Sequence, residues 1–134
     1  MTIPEKSALD ALRNVHGLQL ILLHGSWVDG LTHPDSDIDI AVLRDQKKPA
    51  FRYVDLISDL METFNSDRVD LADLTHADPL LLFAATENCQ LLSGNDDDLA
   101  LLQRLAFHRY NDYLGFLKEE RNFIRKKLQS YVTA

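Results

Sequence analysis

Two aspartates one residue apart, Asp37 and Asp39, stand in the segment Asp-Ile-Asp-Ile-Ala-Val-Leu, with ten residues between them and the pair Gly25-Ser26. Along an extended strand side chains alternate, so Asp37, Asp39 and Ala41 share one face while Ile38, Ile40 and Val42 share the other. The apolar face can pack on helices, but the acidic face cannot. Two carboxylates about 5 to 6 Å apart repel by a few kcal/mol at an effective dielectric of about 20. Either one takes up a proton or a cation sits between them. A hard cation with oxygen ligands, Mg2+ above all, is the usual solution when phosphates complete its coordination. The segment over 68–74 repeats the pattern once, with Val69 and Leu71 pointing one way and Asp70 and Ala72 the other. If the two strands are neighbours, three carboxylates converge, as a two-metal phosphoryl or nucleotidyl transfer requires. Gly25-Ser26 supplies the complementary half: close backbone approach, exposed N–H groups and a hydroxyl for a triphosphate. Asp37, Asp39 and Asp70 are thus the expected catalytic residues and metal ligands, and Gly25 and Ser26 the expected nucleotide-binding residues.

These residues need elements to hold them. Pro4 and the following EKSALDALRNVH predict a first helix, with Ala8, Leu9, Leu12 and Val15 at helical spacing and Gly17 ending it. The segment from Leu18 to Leu23, apolar at nearly every position, predicts a strand covered on both faces. Ser26 is expected to cap a short helix over SWVDGL, and a Thr-His-Pro-Asp-Ser loop then leads into a second strand over about 37–43. Past the polar linker RDQKKPA, Phe51, Val54, Ile57, Leu60, Met61 and Phe64 share one side of an amphipathic helix. A third strand over 68–74, a helix opened by Asp78-Pro79 and a short strand in CQLLSG follow. From about 98 to 129 a long helical pattern carries Leu102, Leu105, Ala106, Tyr113, Leu117, Ile124 and Leu128. Such a helix is roughly 45 Å long, longer than a domain of this size is wide, so part of it is expected to overhang. It either caps the core or offers a docking surface for a partner, and both can hold. Gly115 inside it costs about 1 kcal/mol relative to alanine, which marks a bend, a break or a close backbone contact.

Composition bounds the function. The 134 residues suit one domain, read as a core over 1–94 and a helical extension of the same domain over 95–134. A net charge of −7 argues against a protein built to neutralise phosphate backbones, so no direct nucleic-acid partner is expected. The lone cysteine, Cys89, excludes an intramolecular disulfide framework and a cysteine-based zinc site, and points to a reducing, cytoplasmic setting. No secretory signal or membrane-length apolar run is present. Asp35, Asp37 and Asp39 mimic the opening of an EF-hand loop, but Ile40 and Gln46 stand where Gly and Glu are needed. There is no P-loop and no Gly-x-Ser-x-Gly elbow. His24, His33, His76 and His108 lack the paired spacing of a zinc site and read as surface or partly buried side chains. Trp27 reads as a core or rim residue.

Gly25-Ser26, ten residues, then Asp37-x-Asp39, with Asp70 as the best match to a third acid on a later strand, resembles the DNA polymerase β-like nucleotidyltransferase superfamily. The short chain is most similar to the minimal nucleotidyltransferase (MNT) group, whose members commonly act as antitoxins beside a HEPN-domain ribonuclease toxin. The resemblance implies an α/β (α+β) fold: a minimal nucleotidyltransferase core whose mixed, mostly apolar sheet is backed by helices on one side, an open acidic face for Mg-ATP, and a long C-terminal helical extension. It also implies that Asp37 and Asp39 ligate Mg2+, that Asp70 completes the site and helps activate the attacking hydroxyl, and that Gly25 and Ser26 hold the phosphates of ATP. The acceptor it implies is a tyrosine hydroxyl of the HEPN toxin, with which a hetero-oligomer is expected. Asp29 departs from the pattern, standing where many relatives carry arginine. Two other readings are a nucleotidyltransferase acting on a small molecule such as an aminoglycoside, and an antitoxin that neutralises its toxin by binding alone.

Overall fold

The computed structural model of the chain describes residues 1–32 and 36–133. His33, Pro34 and Asp35 lie outside the described residues, so the loop expected over 32–36 is seen only at its ends. Nine elements follow one another among the described residues: α1 (Lys6–Val15), β1 (Leu18–His24), α2 (Ser26–Asp29), β2 (Ile38–Arg44), α3 (Tyr53–Phe64), β3 (Val69–Asp73), α4 (Pro79–Thr86), β4 (Gln90–Ser93) and α5 (Asp96–Thr133). The strands form one mixed sheet in the order β3-β2-β1-β4. β1 runs antiparallel to both β2 and β4, while β2 and β3 are parallel. A parallel pair needs a crossover, and α3 provides it.

β1 is the centre of the sheet, and its sequence shows why. Leu20, Ile21, Leu22 and Leu23 are all essentially inaccessible to solvent, each worth about 1.5–3 kcal/mol of transfer free energy. Because neighbours alternate, Ile21 and Leu23 join Ile40, Val42, Leu56, Leu60 and Leu9 in one apolar cluster under α1 and α3. Leu20 and Leu22 join Ala41, Leu74, Leu82, Ala85 and Leu102 in a second cluster under α4 and α5. Helices therefore cover both faces, not one side as expected. The acidic face is occupied over its apolar half by the second cluster, and only its far end, beyond Leu22, Ala41 and Ala72, is left to Asp39 and Asp70.

Polar contacts fix the helices to this frame. Ser93, fully buried on β4, donates to Asp10 Oδ1 at 2.5 Å and accepts from Arg13 Nε at 2.8 Å, which pins α1 to the sheet edge. His16 Nε2 lies 2.6 Å from Asp59 Oδ2, joining the end of α1 to α3. Asp78 caps α4 by accepting from the Leu81 amide at 2.9 Å, with Pro79 in the first turn. α3 ends at Asn65, whose φ of 51° lets the chain turn left-handed while its amide and that of Ser66 close on Glu62 and Met61.

Several local expectations change. α3 buries Leu56, Leu60 and Phe64, whereas Val54 lies on the opposite side and is exposed, because the buried stripe of this helix steps by four from Leu56. Val15, in the last turn of α1, is exposed for the same reason of angle. Ser26 is not a cap: Gly25 holds the cap position and Ser26 is the first helical residue. β2 begins at Ile38, so Asp37 sits at its mouth rather than within it. α5 is unbroken through Gly115, and a Cβ built there would meet open space. Its 38 residues span about 57 Å. No helix among the described residues is long and apolar enough to cross a membrane.

Candidate active site

Strand register decides which of the candidate side chains meet. Asp39 pairs across β2 and β3 with Asp70, and across β2 and β1 with His24. Directly opposite residues point to the same face, so His24, Asp39 and Asp70 form a row across three adjacent strands, with Asp39 in the middle. Asp39 is half-buried and Asp70 and Asp37 are exposed. Burial pushes the Asp39 carboxyl above the usual carboxylate range, with Asp70 and Asp37 adding to the rise and His24 opposing it. Burial likewise pulls the His24 imidazole below its ordinary value, against the pull of Asp39 and Asp70. The centre of the row is thus an acid that burial makes harder to ionise, beside an imidazole that burial makes harder to protonate.

Gly25 closes over this row. Its φ of 75° and ψ of −151° belong to a region that side-chain-bearing residues avoid. Space gives a second reason: a Cβ at Gly25 would overlap Asp39 Oδ2 and stand 3.0 Å from Asp39 Cγ. The turn backbone therefore lies directly against the central carboxylate. The carbonyl of Gly25 accepts from the Val28 and Asp29 amides at 3.1 Å, which leaves the amides of Ser26 and Trp27 without acceptors inside the helix. Phosphate oxygens suit such groups.

The donor set fits a hard divalent cation: carboxylate oxygens in a row, with backbone N–H groups beside them for a phosphate. Among the described residues no three His, Cys, Asp or Glu side chains converge as a ready-made metal cage. Mg2+ does not need one, because it is commonly held by one or two carboxylates together with substrate phosphates and water.

The structure therefore sets Gly25, Asp39 and Asp70 side by side, with Asp37 near enough to act on Asp39 and Ser26 in the adjoining turn. His24 was not expected in this group. The available signal was the Gly25 turn itself: an antiparallel return after it sets the residue before the glycine opposite the second aspartate. Trp27, half-buried, packs against the cluster under α1 and α3, and its indole N–H has no hydrogen-bond partner among the described residues. Asp29 accepts from Asn88 Nδ2 at 2.5 Å, which ties α2 to the segment after α4.

Comparison with known proteins bears on this geometry. The family model of the polymerase beta nucleotidyltransferase domain matches residues 6–98. The protein adenylyltransferase MntA of Shewanella oneidensis is 34% identical over 109 residues, covering 79% of this chain and 78% of that protein. A toxin–antitoxin structure with AMP-PNP matches at a TM-score of 0.68 and 28% identity, covering 93% of this chain and 98% of the other. A tri-AMPylated HEPN toxin from Shewanella oneidensis in complex with its MNT antitoxin matches at a TM-score of 0.61 and 26% identity, over 92% of this chain and 95% of the other.

Proposed function

We infer that this chain, which belongs to the polymerase beta nucleotidyltransferase family and within it to the group of the MntA antitoxin, transfers AMP from ATP to a tyrosine hydroxyl of a cognate HEPN toxin and so neutralises it. The observation that carries this reading is the row of His24, Asp39 and Asp70 beneath Gly25, with Asp37 at its edge. The amides of Ser26 and Trp27 and the Ser26 hydroxyl hold the triphosphate from the β1 side. Asp37, Asp39 and Asp70 are the side chains that would hold Mg2+, which when bound neutralises the charge gathered at the α-phosphorus. In-line displacement puts the attacking and leaving oxygens on opposite sides of that phosphorus. With pyrophosphate over Gly25-Ser26, the acceptor approaches over β3, where Asp70 is exposed. The tyrosine oxygen forms its bond to the α-phosphorus as the bond to the bridging oxygen breaks; pyrophosphate leaves, and Asp70 takes the phenolic proton. The bulk and charge so added to the toxin disable it. We read residues 1–94 as the catalytic core, 95–134 as a docking extension, and the cytoplasm as the setting.

Incubating the purified chain with ATP, Mg2+ and the neighbouring toxin, then weighing the toxin by mass spectrometry, tests the proposal. An AMP adduct that disappears when Mg2+ is chelated and in Asp37→Ala and Asp39→Ala supports it. Tight binding without an adduct overturns transfer in favour of neutralisation by binding alone. Adduct formation in Asp39→Ala at the wild-type rate removes the site.

A further inference from the structure

One set of apolar side chains recurs along the whole length of α5, apart from others such as Phe116 and Phe123 that are exposed off its line, and the fold covers only the beginning of it. Leu99, Leu102, Ala106 and Tyr110 recur in steps of three and four residues and pack on the second cluster and on α4; Leu102 is 6% exposed, Ala106 1%, and the Tyr110 ring stacks on Phe83 with centroids 4.1 Å apart. Continuing through Tyr113 in the same steps, the stripe runs to Leu117, Ile124, Leu128 and Tyr131, interrupted only by Arg121. Their exposures climb from 37% through 49% and 60% to 73%. Leu117, Glu120, Arg121 and Ile124 border a shallow depression on this surface. Steps of three and four sustained over several turns are the pattern of a helix that pairs with another helix. Over residues 114–133 the helix bears five basic and two acidic side chains, in a chain whose net charge is −7.

We propose that the bare half of this stripe, from Leu117 to Tyr131, docks a helix of the toxin whose flanks are acidic. The assignment rests on the proposed function for the identity of the partner, and on the charge and spacing of α5 for its chemistry. A second copy of this chain is the poorer occupant. With five basic and two acidic side chains over 114–133, a second copy sets a net positive surface against itself. An acidic helix instead satisfies Lys118, Arg121 and Arg125 together. The catalytic family match ends at residue 98, so the far half of α5 lies beyond it; toxin–antitoxin structures nevertheless match over 93% of the chain, a share that takes in most of α5.

The test uses the full chain with Ile124→Glu and Leu128→Glu, two changes to good helix formers on a surface that touches no core residue. Toxin affinity is measured by titration, self-association by sedimentation, nucleotide binding by the fluorescence of Trp27 beside Ser26, and transfer by mass spectrometry. The expected result is an affinity loss of about tenfold or more, the size of a hot-spot effect, with the ATP response unchanged and AMP transfer restored at high toxin concentration. Unchanged toxin affinity overturns the docking site. So does a wild-type dimer that the substitutions dissolve, because the occupant is then a second copy. Wild-type binding that the substitutions weaken, with no AMP adduct from either protein, upholds the docking site and overturns the transfer reaction.

Discussion

The acid end of the sheet and the far half of α5 are the two places where this fold leaves exposed what burial or pairing would normally satisfy, and they do so with opposite chemistry. At the sheet end, Asp39 is half-buried between His24 and Asp70, with a carboxyl that burial and its acidic neighbours make harder to ionise. On α5, Leu117, Ile124 and Leu128 stand in solvent on a helix whose earlier turns are packed on α4 and the sheet. The first region gathers acidic side chains and the second leaves apolar side chains bare. Neither deficit destroys the fold, because the two clusters around β1 supply the stability. What the contrast teaches is that each deficit names its remedy: charge calls for a counter-charge and phosphate, and a helical stripe calls for a helix.

The contrast breaks most sharply along α5. Leu102→Ala removes a buried side chain and is expected to cost about 2–5 kcal/mol in urea denaturation. Leu128→Ala, the same chemistry on the bare half, is expected to fall within about 0.5 kcal/mol of wild type. Equal losses at the two positions would mean that the far half already has a neighbour in the isolated chain.

At the acid end the sharper probe is pH. A carboxyl whose folded pKa lies above its unfolded value costs stability once it is forced to ionise; the cost builds as pH rises from the unfolded value to the folded one, and is absent below both. Asp39→Asn without divalent ions is therefore expected to melt above wild type at pH 7, with the gap closing below about pH 4, the ordinary carboxylate range. Mg2+ with ATP narrows the gap by stabilising wild type. A variant that melts below wild type at pH 7 would show that Asp39 is satisfied by its protein neighbours alone. A purely local effect is expected at Gly115, where open space surrounds the missing side chain. Gly115→Ala should gain about 1 kcal/mol of local helix stability, visible as slower amide exchange in the neighbouring turns, while the global melting temperature stays put.

Much of this was legible in the sequence because it depends on local chemistry. Leu18 to Leu23 could only be a strand buried on both faces, and Asp37, Asp39, Asp70, Gly25 and Ser26 stood out as residues that do not belong there without a task. What was not legible depends on register and topology. His24 gains its meaning only when β1 and β2 pair antiparallel. That helices cover both faces follows from where α4 and α5 land, which no periodicity states. Val54 was misplaced because α3 is short enough that a small error in its angle moves a residue from inside to outside. Ser26 lost the cap to Gly25 because the turn needs a backbone conformation only glycine adopts readily.

The contact between Gly25 and Asp39 has one more consequence. No atom fits between the turn and the carboxylate, so the two segments are geared: neither slides along the other without a clash. Whatever grips the turn also sets the position of the acid, so a force on either segment is felt at once by the other.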